Sequence, residues 1–317
     1  MNASRSASRF TAILLASLLA GSAIAASAAA TAPAAKADSN PARTGADVIK
    51  AATAGEWRDV EPRNLLIMDL PQGQVLIELA ERFAPRHVAN IRTLAHNGYW
   101  NGLTVLRVQD NYVAQWGDPN GDDEKTAKPL APASAKLPAE FSIPFKGLPI
   151  NKLPDVDGWA PVSGFVDGFA VAANPKQNKA WLAHCYGVVG AGRGETVDSS
   201  TGAELYAMIS PARGLDLNIT VVGRVLKGME FLAALQRGGP NMGFYDQPEQ
   251  RTTIKQVRLA SDLPESERPH LQLLRTDSKS WDALLDTRRH RGGWFVHSPE
   301  HVDVCGATVP MRDKPAQ

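Results

Sequence analysis

Between Arg63 and Ala260, short runs of apolar, β-branched residues follow one another across tight turns, with only two stretches of helical period among them. Such a chain has to fold as hairpins around a sheet. Arg63 to Leu70 and Gly73 to Leu79 flank Pro71-Gln72 as one hairpin; Leu103 to Val108 and Tyr112 to Trp116 flank Gln109-Asp110-Asn111 as another. Further strands are expected at Phe169 to Ala173, Gly187 to Ala191, Glu204 to Ile209, Ile219 to Val225 and Thr252 to Ala260. A helix opens at Ala84-Pro85, turns Val88, Ile91 and Ala95 to one face, and stops at Asn97-Gly98. Another runs from Gly228 to Gln236 with Phe231, Leu232 and Leu235 inward. Strands outnumber helices, so the fold class is mainly β: a closed antiparallel barrel with helices over its ends.

The flanks read differently. Arg5 and Arg9 precede an apolar run, Phe10 to Ala25, that ends in Ala23-Ile24-Ala25. Residues 1–25 therefore read as a cleaved secretory signal peptide, and the run is short of the ~20 residues a spanning helix needs. No cysteine stands at the cleavage point to take a lipid. The expected location is periplasmic or secreted, with no membrane contact after cleavage. Residues 26–62 are expected to be a flexible Ala/Pro-rich spacer and lead-in, 63–260 the barrel domain with an insert at about 122–166, and 261–317 a C-terminal extension. The extension has one helix candidate, Trp281 to Arg289, with Ser280 as its N-cap. Lys plus Arg number 34 against 33 Asp plus Glu, so no charge excess marks a nucleic-acid partner.

Three segments carry the chemistry: Phe83 to Ile91, Gly98 to Val108, and Tyr112 to Gly121 (YVAQWGDPNG). With Ala139-Glu140-Phe141, Gly187 to Arg193, Glu204 to Met208 and Val221 to Val225, they resemble the cyclophilin family of peptidyl-prolyl cis-trans isomerases, in family order over about residues 63–260. The resemblance implies an eight-stranded barrel with two capping helices, no cofactor, and proline-containing polypeptides as substrates. Arg107 matches the catalytic arginine, and Gln115 on the adjacent strand would orient the substrate backbone or the guanidinium. Tyr112, Val113, Tyr206, Leu215 and Ile219 match the proline pocket, and Gly192, Arg193 and Glu204 its substrate-binding border. The implied work is prolyl isomerisation during folding of exported proteins; the alternative is a catalytically weak peptide-binding chaperone or assembly factor on the same scaffold.

The sequence departs from the family at the rim of this pocket. Trp116 stands for a glycine, Glu204 for a glutamine, Tyr206 for a phenylalanine, Ile219 for a histidine and Gly214 for a bulky residue. Losing the wall at Gly214 predicts weak or no cyclosporin binding. An ion pair from Glu204 to Arg107 would either preorganise the guanidinium or engage it and lower activity.

Other signals lead less far. Gly187, Gly190, Gly192 and Gly194 lack the spacing of a dinucleotide loop. Asp118, Asp122 and Asp123 lack the alternation of a calcium loop, and His297 and His301 straddle Pro299, so no metal site is expected. His184-Cys185 reads either as an activated thiol pair or, in an oxidising compartment, as half of a Cys185–Cys305 disulfide that staples the extension to the barrel.

Overall fold

A computed structural model describes residues 43–315. The expected signal peptide and residues 26–42 of the spacer lie outside the described residues. In chain order the elements are α1 (Gly45–Ala51), β1 (Trp57–Asp59), β2 (Leu65–Leu70), β3 (Gly73–Leu79), α2 (Pro85–His96), β4 (Thr104–Gln109) and β5 (Val113–Gly117). The insert and its continuation carry β6 (Ile143–Pro144), β7 (Asn151–Lys152), β8 (Val162–Val166), β9 (Phe169–Asn174) and β10 (Lys179–Leu182). There follow β11 (Val188–Ala191), β12 (Leu205–Met208), β13 (Val221–Lys227), α3 (Met229–Ala233), β14 (Thr252–Thr253) and β15 (Gln256–Leu259). The extension adds β16 (Leu271–Leu274), α4 (Lys279–Arg289) and β17 (Met311–Asp313).

The main sheet runs β14-β4-β5-β12-β11-β13-β3-β2-β15. Its two edges belong to one stretch of chain. Thr252–Thr253 pairs with β4, and after Ile254 and Lys255 the same segment pairs with β2 along Gln256–Leu259. Counting β14 and β15 as one strand gives the eight expected, with a kink where the sequence reads as a single strand from Thr252 to Ala260. Alternation along the strands splits their side chains between two cores. Leu205 and Ala207 of β12, Ala114 and Trp116 of β5 and Val189 and Ala191 of β11 fill the barrel interior with Leu66, Ile77 and Ile91. Trp116, in place of a glycine, is 1% exposed there.

The outer face of the same strands does not meet solvent throughout. Val113, Tyr206, Met208, Val188 and Val221 share a second core with Phe165, Phe169 and Val171 of the insert region and with Trp57 and Trp281. Here the expected organisation needs correcting. Phe169–Asn174 is not a barrel strand; it lies in a separate antiparallel sheet, β6-β10-β9-β8-β7, that covers residues 143–182. The cause is local: Asp167 (φ 50°) and Gly168 (φ 82°) form a two-residue left-handed turn, which folds β9 back on β8 rather than onto the barrel.

Residues 43–62 are likewise no flexible spacer. Thr44 and Asp47 close a capping box on α1, Val48 is fully buried, and β1 pairs with β16, which pairs with β17. The N-terminal lead-in and the C-terminal extension thus build one three-stranded sheet. In α4 the N-cap is Ser278, not Ser280, because Ser278 Oγ reaches the Trp281 amide while Ser280 lies in the first turn and donates to Glu56. Cys185 and Cys305 are disulfide-bonded across 120 residues with Cα atoms 4.9 Å apart, so His184-Cys185 is not a free thiol pair.

One buried carboxylate ties these parts to the barrel. Glu78 on β3, 4% exposed, pairs with Arg224 on β13 at 2.9 Å and with Arg58 on β1 at 2.7 Å. The same guanidiniums donate to the turn carbonyls of Asp167 and Gly168. A second carboxylate, Glu140, caps α2 from the insert, accepting the Arg86 and His87 amides at 3.0 and 2.9 Å where Ala84 offers no side-chain acceptor.

Candidate active site

Arg107 owes its position to an irregularity. The register of β4 against β5 slips between Val105 and Arg107, so that Val105 and Val108 both enter the barrel core while Arg107 turns to the outer face opposite Gln115. Its Nη1 donates to Gln115 Oε1 at 2.9 Å, Nη2 donates to Gln109 Oε1, and Nε donates to the Met242 carbonyl at 2.6 Å. The rings of Phe244 and Tyr112 lie 5.2 and 5.5 Å from its guanidinium carbon. Burial lowers its pKa while Tyr112 and Glu204 oppose the shift, and a guanidinium stays protonated. Among the described residues three of its five N–H groups hold it in place and two are left to donate.

The segment 238–245 supplies half of this cradle. It runs beside β4, with the Val108 amide donating to the Gly243 carbonyl at 2.8 Å and the Gly238 amide to the Val108 carbonyl at 2.8 Å. Met242 (φ 49°) and Gly243 (φ 81°) turn the Met242 carbonyl toward Arg107. Neither Gln109, Met242 nor Phe244 was among the residues expected from sequence.

Glu204 meets Gln115 rather than Arg107. Gln115 Nε2 donates to Glu204 Oε1, so the amide lies between guanidinium and carboxylate, and the expected direct ion pair does not form. The geometric cause is strand pairing: Gln115 sits opposite Tyr206, beside Glu204, and reaches it first. Burial raises the Glu204 pKa and Asp122 adds to the rise, against the Gln115 hydrogen bond and the charge of Arg107.

Next to this line of polar groups the five pocket residues come together. Val113 and Tyr206 are buried, and Tyr112, Leu215 and Ile219 pack partly exposed against the same core. The Tyr206 ring crosses Gly190, its strand partner, where an added Cβ would come within 2.2 Å of the ring. The hydroxyl then reaches His184 Nε2 at 3.1 Å, and Asp216 holds the other ring nitrogen at 3.1 Å. Burial pushes the Tyr206 hydroxyl pKa far up, so it remains a neutral donor. The apolar cluster therefore has a polar underside.

Gly192 and Arg193 stand on the far side of Glu204. The Gly192 amide donates to the Glu204 carbonyl at 2.8 Å, whereas Arg193 Nε donates to the Asn218 carbonyl at 2.9 Å and Nη1 to Gly194 and Glu195. Arg193 thus fastens two loops. A cavity of about 250 Å³ opens away from these residues, between the barrel and the extension, with the Cys185–Cys305 bridge in its lining.

The family described as cyclophilin type peptidyl-prolyl cis-trans isomerase/CLD matches residues 65–259. Proteins named probable peptidyl-prolyl cis-trans isomerase from Brucella suis and Brucella melitensis are each 28% identical over 184 residues, which cover 56% of this chain and 74% of theirs. The crystal structure of cyclophilin AquaCyp293 from Hirschia baltica superimposes with a TM-score of 0.66 at 25% identity, covering 82% of this chain and 95% of that one.

Proposed function

The chain belongs to the cyclophilin-type peptidyl-prolyl cis-trans isomerase family, and we propose that it isomerises X-Pro bonds in exported polypeptides with Arg107 as the electrostatic centre. The carrying observation is that Arg107 is fixed on the outer barrel face beside the apolar cluster that holds Tyr112, Val113, Tyr206, Leu215 and Ile219.

The barrier to rotation is ~18–20 kcal/mol because twisting breaks amide resonance. The twisted bond carries a pyramidal nitrogen whose lone pair accepts a hydrogen bond. In this reading the proline ring rests on Tyr112, Val113, Tyr206, Leu215 and Ile219, and the free N–H groups of Arg107 donate to the prolyl carbonyl and nitrogen. Gln115 holds the guanidinium plane, and Glu204 fixes which end of the Gln115 amide faces it. Stabilisation comes from a charge already in place, with no covalent intermediate.

Export is supported by the N-terminal sequence and by a disulfide that suits an oxidising compartment. Cell fractionation with N-terminal sequencing of the mature protein tests it, and a cytoplasmic protein that retains Met1 would refute it. The activity is tested by the cis-to-trans rate of an Ala-Pro tetrapeptide with wild type and Arg107→Ala. Acceleration that falls roughly 100-fold or more on substitution is expected. No acceleration by wild type leaves the peptide-binding reading, which the engagement of Arg107 by three protein acceptors favours.

A further inference from the structure

The period of two along β12 puts Leu205 and Ala207 inside the barrel and Tyr206 on the outer face, so Glu204 shares that face with Tyr206. At about 3.3 Å per residue the two side chains stand roughly 6–7 Å apart along the strand. An extended peptide has the same rise. With its proline ring above Tyr206, a residue two positions away therefore lies above Glu204.

What such a residue would meet is a carboxylate without a cation. Glu204 Oε1 takes a hydrogen bond from the neutral amide of Gln115, and among the described residues no Lys, Arg or His forms an ion pair with Glu204. Glycines stand on two sides of it. A Cβ at Gly192 would come 3.0 Å from Oε1 and one at Gly117 3.1 Å from Cγ, so side chains at either position would crowd the groove beside the carboxylate. Arg107 is a whole amide further away, and the charge of Asp122 adds to the negative field at Glu204.

We propose that Glu204 forms a subsite for a cationic side chain, so that the enzyme prefers polypeptides with Lys or Arg two residues from the proline. This rests on the isomerase reading above and names its substrate class. A direct ion pair with Glu204 outweighs repulsion from Arg107, because the contact is short and the repulsion acts through a wider, partly solvated gap.

The test is a peptide series around a fixed Ala-Pro unit, with Lys, Ala or Glu scanned over the two positions on either side of it. It is assayed with wild type and Glu204→Gln, a change to the residue usual in the family, whose folding is checked by its urea midpoint. At one of the positions two residues from the proline the wild-type kcat/KM is expected to be about fivefold or more higher for Lys than for Ala and lowest for Glu. That ratio should fall toward one in Glu204→Gln and in 1 M salt. Equal kcat/KM for Lys and Ala at both of those positions, or a preference unchanged by Glu204→Gln, overturns the subsite. If wild type turns over none of the peptides, the isomerase reading fails by itself. The subsite is then judged by fluorescence anisotropy of the labelled Lys and Ala peptides: tighter Lys binding lost in Glu204→Gln supports it, and equal binding refutes it.

Discussion

The Tyr206 hydroxyl lies 3.1 Å from Nε2 of His184, directly under the apolar surface on which a proline ring would rest. His184 is fully buried, and its other ring nitrogen faces Asp216 Oδ1. The arrangement that satisfies every group has His184 Nδ1–H donating to Asp216 and Tyr206 donating to Nε2. Tyr206→Phe keeps the ring across Gly190 but leaves Nε2 unpaired in a dry site. An unsatisfied buried acceptor costs about 1–3 kcal/mol, so the urea midpoint should fall by the corresponding amount although phenylalanine is the residue usual in the family. A Tyr206→Phe variant as stable as wild type would show that the hydroxyl contributes nothing.

Asp216 sets an acid limit on the fold. Burial alone would raise its pKa, but hydrogen bonds from the His184 side chain and amide and from Arg213 outweigh burial and hold it below the ordinary carboxylate range. The unfolded chain then takes up this proton at higher pH than the folded one. Its contribution to stability is therefore present above about pH 4 and lost as pH falls through the lowered value. Asp216→Asn should flatten that part of the acid limb in a urea-midpoint series. It should also cost about 1–3 kcal/mol at neutrality, because buried Arg213 loses one of its two carboxylate partners and keeps Asp157. An unchanged acid limb would reject this assignment.

Much of the barrel is written in local periods, and the rest is not. The β2–β3 hairpin and α2 fall where alternation, Pro85 and Asn97-Gly98 put them, since each depends on neighbours in sequence. The second sheet escaped because prolines and lysines hide its short strands, although Asp167-Gly168 between two apolar runs is a strong hairpin signal. A seven-residue α1 is too short to show a helical period, leaving only Thr44 and Asp47 as a sign. At the site, Arg107, Gln115 and the pocket residues were found through resemblance. Their supports were not. Asp216 stands 32 residues from His184 and Met242 135 from Arg107, distances over which no local pattern acts.

The disulfide should matter chiefly for stability. Closing a loop of 120 residues removes chain entropy worth up to about 5 kcal/mol, and native bridges are typically worth 2–4. The extension is also held by β16 on β1 and by Trp281, whose ring meets Phe165 at 4.9 Å, so the bridge is one of several fastenings. Cys185→Ala with Cys305→Ala should lower the unfolding free energy from urea titration by about 2–4 kcal/mol while retaining isomerase activity toward the tetrapeptide. Amide exchange should quicken most around residues 302–309. A midpoint unaffected by the double change would show that packing alone holds the extension.

The open rim at Gly214 gives a prediction of gain. Gly214 is exposed, and a Cβ added there would meet nothing within 4 Å, so a side chain leaves the backbone there into open space. It neighbours Leu215, which packs at the edge of the apolar pocket. Wild type should bind cyclosporin weakly, because the ligand has no wall on this side. In Gly214→Trp an indole that buries about 60 Å² against the ligand contributes about 1.5 kcal/mol at ~25 cal/mol per Å², roughly tenfold in affinity. Isothermal titration of both proteins decides the matter: tight binding by wild type, or no tightening on substitution, would show that the missing side chain is not what limits the complex.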